Sequence, residues 1–141
     1  MNLMFGSKSE RRVLPGRYDS VFSTVCTAAE SRRVAVTFAD PAAGIIRMSK
    51  SWNLFTWGED LAVFLRPVPT GVEVTVSSSL KFGLIDWGQN RRNINMLFGL
   101  VAEALPVGWY GDPSGRHELR WWEGRWTEAV NNGGQVGTDA L

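Results

Sequence analysis

Two stretches of the chain carry apolar residues at the spacing of an amphipathic helix. In residues 19–30 the apolar positions fall on one helical face, and either Asp19 or Ser20 is placed to cap the first turn. A second run with the same period ends at Pro106, which cannot continue a helix. The two apolar faces consist of Val21, Phe22, Val25, Cys26 and Ala29, and of Ile94, Leu97, Phe98, Val101 and Leu105.

Between these helices the apolar residues recur at every second position rather than at every third or fourth, which is typical of strands with one buried face. Glycine- and proline-rich turns at 40–44 and 67–71 separate some of the alternating segments. Short connections favour antiparallel neighbours. We therefore predict an α+β fold: a two-layer sandwich in which two helices cover one face of a four-stranded antiparallel sheet, in the order α-β-β-β-β-α. The four predicted strands are residues 33–39, 45–50, 60–66 and 72–77.

The segments outside this sandwich have different compositions. Residues 1–16 are polar and basic, and we predict a flexible arm, followed by the α+β domain at 17–106. Residues 107–130 are predicted to form a tryptophan-rich β-hairpin module. The glycine-rich end, 131–141, is predicted to be a disordered tail.

The predicted hairpin has its own turn signals. Residues 112–115 read Asp-Pro-Ser-Gly, a β-turn sequence, and Glu123-Gly124 indicates a two-residue loop between strands at 117–122 and 125–130. A lone hairpin is marginal in water, and burial of large aromatic rings would stabilise it. Most of these rings are then core residues, or else one or two of them line a groove for a peptide. The rings concerned are Trp109, Tyr110, Trp121, Trp122 and Trp126.

This segment also resembles a known family. The pattern Gly-Trp-Tyr-x-Asp-Pro from Gly108, then Trp-Trp-Glu-Gly from Trp121 and Trp-Thr from Trp126, closely resembles a short domain of unknown function common in actinobacterial proteins. The resemblance implies an actinobacterial or actinophage host but no activity. By analogy, the layout is similar to that of the WW domains, which bind proline-rich peptides between aromatic rings.

A second resemblance covers residues 76–92, where a strand runs through a turn into a helix. The segment resembles the closing part of a widespread bacterial family of unknown function, whose turn reads Gly-x-x-Asp-x-Gly-x-Asn-x-x-Arg. Asn93 stands where that family has its arginine. The matching residues are Gly83, Asp86, Gly88 and Asn90.

Composition narrows the class of protein. The chain of 141 residues is 44% hydrophobic and 21% charged, which is typical of globular proteins. A net charge of +1 disfavours a nucleic-acid partner, since such proteins usually carry a basic excess. The single cysteine, Cys26, cannot form an intramolecular disulfide, and the longest apolar run is too short to span a membrane. We therefore expect a cytoplasmic protein.

Catalytic signals are missing from the sequence. The one histidine, His117, has no cysteine or second histidine nearby to build a zinc site, and no nucleophile is paired with it. Phosphate-binding glycine motifs of the Walker or Rossmann type are also missing. We predict no catalytic residue, no metal and no cofactor, and hence a protein that is not an enzyme.

A second aromatic cluster lies in the loop between predicted strands two and three. Its rings would either cover the open end of the sheet or insert into a membrane interface or a partner surface. A similar apolar cluster at 82–87 would join it in one aromatic rim if both loops project from the same end. The candidate binding residues in the first loop are Trp52, Phe55 and Trp57.

Together these features predict a non-enzymatic protein-interaction module that binds a protein partner through exposed aromatic surfaces. The alternative is a domain that binds a small apolar ligand or a membrane surface. A pocket smaller than roughly 300 Å³ would count against the ligand alternative. The oligomeric state does not follow from the sequence.

Overall fold

The computed structural model describes residues 8–50, 59–80 and 87–141. Two helices and two antiparallel sheets make up an α+β architecture. The elements, in chain order, are β1 (Lys8–Leu14), α1 (Tyr18–Ser31), β2 (Ala35–Asp40), β3 (Ile45–Lys50), β4 (Glu59–Val68), β5 (Gly71–Leu80), α2 (Trp87–Ala104), β6 (Gly108–Gly111), β7 (Leu119–Trp122), β8 (Trp126–Asn132) and β9 (Gln135–Thr138).

The main sheet has the strand order β1-β5-β4-β3-β2, with every pair antiparallel. Both helices contact it, and they contact each other. Alternate residues of the central strands are buried beneath the helices, as the sequence pattern predicts. These buried strand residues are Ile46, Met48, Leu61, Val63, Leu65, Val72, Val74 and Val76.

The predicted layout was wrong in its strand count, because the sheet has five strands rather than four. The additional strand, β1, lies inside the segment predicted to be a flexible arm. Its register places Leu14 opposite Val72 and Arg12 opposite Val74, so Leu14 faces the core and is buried. Charged side chains are common on edge strands, where they prevent pairing with other chains. The charged sequence of this edge strand is therefore similar to that of an unstructured arm, which is why the strand was not predicted.

Two local predictions also differ from the structure. Helix α1 begins at Tyr18 with Arg17 at the N-cap and no side-chain cap, whereas Asp19 lies within the first turn. In β2 the register shifts between Val36 and Phe38. This irregularity breaks the alternation expected for residues 33–39, and Phe38 is exposed.

The C-terminal sheet, β6 to β9, replaces the predicted hairpin. Its order is β6-β7-β8-β9, and β9 falls in the range predicted to be a disordered tail. The two glycines at 133–134, interpreted as signs of flexibility, both adopt positive φ in the tight turn that pairs Asn132 with Gln135. The loop between β7 and β8 spans residues 123–125, one residue longer than predicted, with Gly124 at φ 77°.

Some predictions fall outside the described residues. The candidate residues Trp52, Phe55 and Trp57 are among them, as is most of the 82–87 cluster, so the proposed aromatic rim stays a prediction. Within 8–50, 59–80 and 87–141, no helix is long and apolar enough to cross a membrane.

Candidate binding cleft

A cleft of about 460 Å³ lies where the C-terminal sheet meets β1 and the C-terminal half of α2. Aromatic rings from both parts of the molecule contribute to its walls: Phe98 from α2, and Trp122 and Trp126 from β7 and β8. Its remaining lining residues are Arg12, Val13, Leu14, Ala102, Pro113, Ser114, Gly124, Arg125 and Leu141. The surface inside the cleft is therefore mainly apolar.

Strand geometry explains why two of the tryptophans face this cleft. Successive side chains of a strand point to opposite faces, so Trp122 and Trp121 cannot share one. Trp122 is buried and pairs across the sheet with Trp126, with the rings edge to face at a centroid separation of 5.2 Å. The indole Nε1 of Trp126 donates to the main-chain oxygen of Val13 at 2.9 Å. This bond fixes the C-terminal sheet against the edge strand of the main sheet.

The charged side chains of the cleft are both arginines. The Arg12 guanidinium lies 4.3 Å from the centre of the Phe98 ring, a cation–π contact, and its Nη2 is 2.6 Å from Glu10 Oε2. Arg125 follows the Gly124 turn and is exposed. An apolar cleft with two guanidinium groups in its lining can bind a ligand that combines an apolar part with a negative charge.

A buried charge network stabilises the C-terminal sheet beside the cleft. Arg120, which is fully buried, contacts Asp112 Oδ1 at 2.9 Å and Asp139 Oδ2 at 3.2 Å. It also donates to the main-chain oxygens of Thr127 and Asp139, at 2.9 and 2.6 Å. One guanidinium therefore joins the turn after β6, strand β8 and the residue after β9. We call Asp112, Arg116, His117, Arg120 and Asp139 the Arg120 network.

Hydrogen bonds and ion pairs favour the ionised forms of Asp112, Asp139 and Arg120. Burial alone would raise the pKa of Asp112, but hydrogen bonds from Arg120 and Ser114 and from the His117 N–H outweigh it, and the pKa lies well below its usual value. Asp139 has a lowered pKa chiefly because Arg116 hydrogen-bonds to it. For Arg120, burial opposes the charge, yet the ion pairs with both carboxylates raise its pKa.

The one histidine of the chain, His117, belongs to the Arg120 network. His117 lies in the turn before β7, with Nε2 3.1 Å from Asp139 Oδ2 and Nδ1 2.8 Å from Asn132 Nδ2. The amide nitrogen of Asn132 can only donate, so Nδ1 accepts from it and the Nε2–H faces Asp139 Oδ2. Both ring nitrogens are engaged in holding neighbouring turns. Among the described residues, no group of three or more His, Cys, Asp or Glu side chains could hold a metal ion.

The structure separates the candidate aromatic residues of the C-terminal segment into two pairs of tryptophans and a single tyrosine. Trp122 and Trp126 line the cleft, whereas Trp109 and Trp121 form an edge-to-face pair, 5.2 Å between centroids, on the opposite side of β6 and β7. The Tyr110 hydroxyl donates to the Pro106 oxygen at 2.7 Å, and its ring packs on the core. The structure therefore does not unite the five rings in one site.

Sequence reasoning missed both arginines of the cleft. It placed Arg12 in the flexible arm and Arg125 only in a hairpin strand, whereas Phe98 is buried on the predicted face of α2 and also lines the cleft. Alternation within residues 8–14 was the signal that could have placed Arg12 on the inner face, since Arg12 and Leu14 are two apart.

Comparison with known families gives a match that covers the C-terminal sheet, β6 to β9. Residues 107–138 match a family described as a protein of unknown function (DUF2510). The resemblance of this segment to a short domain of unknown function is thereby confirmed, and the match extends through β9, beyond the predicted end at residue 130. No curated protein matches the chain.

Proposed function

We propose that this protein is a non-enzymatic binding protein whose cleft, between the C-terminal sheet and the α+β domain, binds an apolar peptide segment of a partner protein. The observation that carries the proposal is the cleft itself, of about 460 Å³, in which the half-buried Trp126 ring presents aromatic surface and the buried rings of Phe98 and Trp122 complete the lining. Ligand sites usually measure about 300–1,000 Å³ and combine apolar walls with a few polar groups. Aromatic and arginine residues are also the side chains most enriched at protein interfaces.

A small apolar ligand is the second candidate. The volume of about 460 Å³ favours it, because it exceeds the roughly 300 Å³ below which such a ligand becomes implausible. We favour the peptide because the cleft is open to solvent at the exposed residues Arg125 and Leu141, so a ligand longer than the cleft can extend beyond it. The cytoplasmic location and the actinobacterial or actinophage host stay predictions.

The test uses a variant that fills the cleft without removing any of its contacts. Ala102, on α2, lines the cleft, and Ala102→Trp would occupy it. Ala104 lies on the same helix but is exposed and is not part of the lining, so Ala104→Trp is the matched control. A random 12-residue peptide library is selected on the wild-type protein, and the enriched peptides are synthesised and titrated against all three proteins.

We expect the selected peptides to bind the wild type and Ala104→Trp alike and to lose at least about tenfold in affinity with Ala102→Trp. Unchanged circular dichroism and thermal midpoints would show that both variants fold. Equal binding to all three proteins, or no enriched peptide, would contradict the proposal. Sedimentation with phosphatidylglycerol vesicles that only Ala102→Trp abolishes would assign the cleft to a membrane surface instead.

A further inference from the structure

We infer that the ligand of the cleft carries a negative charge, a carboxylate in a peptide, next to its apolar part, and that Arg12 and Arg125 select it. This inference rests on the proposed function, since it names the ligand chemistry of the same cleft. In a peptide, the class is an apolar side chain adjacent to Asp or Glu. The half-buried ring of Trp126 would contact the apolar part.

The charge of the lining supports this assignment. Both charged side chains among the lining residues are arginines, so an anion entering the cleft meets no lining carboxylate side chain. Several other arginines are neutralised within the protein: Arg66 binds Glu73, Arg116 binds Asp139, and Arg120 binds Asp112. Those guanidinium groups serve the fold.

Arg125 differs from these residues. Within the part of the chain that the structure describes, its guanidinium forms no salt bridge. It is also held close to the cleft, because it follows Gly124 in a three-residue loop and precedes Trp126, which is anchored to Val13. An arginine with a constrained backbone and an uncommitted charge is suited to bind a ligand carboxylate.

Arg12 supplies the second positive group and has a fixed position. The Phe98 ring lies against one face of its guanidinium, and Glu10 binds one edge. A guanidinium has five N–H donors, so the single contact with Glu10 leaves donors available to a carboxylate in the cleft. Its planar shape favours two parallel hydrogen bonds to a carboxylate, which a neutral ligand cannot reproduce.

Two dyes with the same ring system separate charge selection from apolar binding. 1-Anilinonaphthalene-8-sulfonate carries a sulfonate, whereas N-phenyl-1-naphthylamine has hydrogen in its place. Each dye is titrated by fluorescence against the wild type, Arg12→Gln/Arg125→Gln and a control with the same loss of charge, Arg17→Gln/Arg32→Gln. Both control residues are exposed and outside the cleft lining.

We expect the cleft double variant to lose about tenfold in affinity for the sulfonate dye, while its affinity for the neutral dye stays within about twofold. The control variant should keep wild-type affinity for both dyes. Added salt should lower the affinity for the sulfonate dye and not for the neutral dye, because salt screens the attraction between the sulfonate and the arginines. Peptides selected on the cleft double variant should no longer be enriched in Asp and Glu.

Two different failures can be told apart. In the first, both dyes and the selected peptides bind the wild type and the cleft double variant with equal affinity. The charge selection is then wrong, whereas the binding cleft stands. In the second, Ala102→Trp binds both dyes as tightly as the wild type and no peptide is selected. The proposed function itself then fails, and the charge selection fails with it.

Discussion

The indole Nε1 of Trp126 donates a hydrogen bond to the main-chain oxygen of Val13, 2.9 Å away, across 113 residues of sequence. This contact joins strand β8 of the C-terminal sheet to the edge strand of the main sheet. It also fixes one wall of the cleft, because Trp126 and Val13 both line it. The C-terminal sheet is therefore integrated with the α+β domain, and Trp122 belongs to the same core cluster as α1 and α2.

Replacement of Trp126 by phenylalanine tests this contact. Trp126→Phe keeps an aromatic ring but removes the donor, so the partly buried Val13 oxygen loses its partner. We expect the free energy of unfolding to fall by about 1–2 kcal/mol, measured by urea denaturation. Trp121→Phe is the control, since its Nε1 bonds to Glu123 Oε2 at the exposed surface and should cost less than about 0.5 kcal/mol. Equal losses would show that the Trp126 bond has no special role.

The buried pair of Arg120 and Asp112 gives a second prediction. Arg120→Met leaves the carboxylate of Asp112 buried without its counter-charge, and we expect a loss of about 3–5 kcal/mol in the free energy of unfolding. In Arg120→Met/Asp112→Asn both charges are gone while a side-chain oxygen remains to accept from Ser114 and His117, and part of that stability should return. Chemical denaturation of both single variants and the double variant measures the coupling. Additive losses would contradict an ion pair that acts as a unit.

The lowered pKa values of Asp112 and Asp139 predict how stability depends on pH. A carboxyl whose pKa is lower in the folded than in the unfolded protein adds stability that is complete above its unfolded pKa, about 4. That contribution is lost as the pH falls below about 4. Wild-type stability should therefore decline steeply in acid, and Asp139→Asn should decline less steeply, in thermal unfolding at a series of pH values. Glu103→Gln, on an exposed position of α2, is the control. If the thermal midpoints of the wild type and Asp139→Asn fall equally with decreasing pH, the lowered pKa of Asp139 is not a cause of the acid sensitivity.

Periodicity predicted the regular core of the fold. The apolar faces of the two helices and the alternation in Val72, Val74 and Val76 report burial directly, because one side of each element faces the core. Periodicity did not predict strand β1, because this edge strand buries few residues and carries charged ones. Strand β9 was not predicted for another reason. Its residues are all exposed, so pairing with β8 rather than burial holds it in place.

The candidate site was only partly predictable. Aromatic composition pointed to the C-terminal segment, and Trp122 and Trp126 do line the cleft. What composition could not show is which rings face inward, because a register irregularity between Arg120 and Trp122 alters the pairing of β7 with β8. Phe98 and Arg12 come from distant parts of the chain, and only the packing of the C-terminal sheet against β1 and α2 brings them together with the tryptophans.

The most direct test of the binding cleft is the movement of individual tryptophan indole N–H signals in a ¹H–¹⁵N NMR titration with a selected peptide. The chain has seven tryptophans, which single Trp→Phe variants assign. We predict that the signals of Trp122 and Trp126 shift and saturate together, whereas those of Trp109 and Trp121, on the other face of the C-terminal sheet, do not move. Shifts of Trp109 and Trp121 with no change at Trp122 and Trp126 would contradict the account.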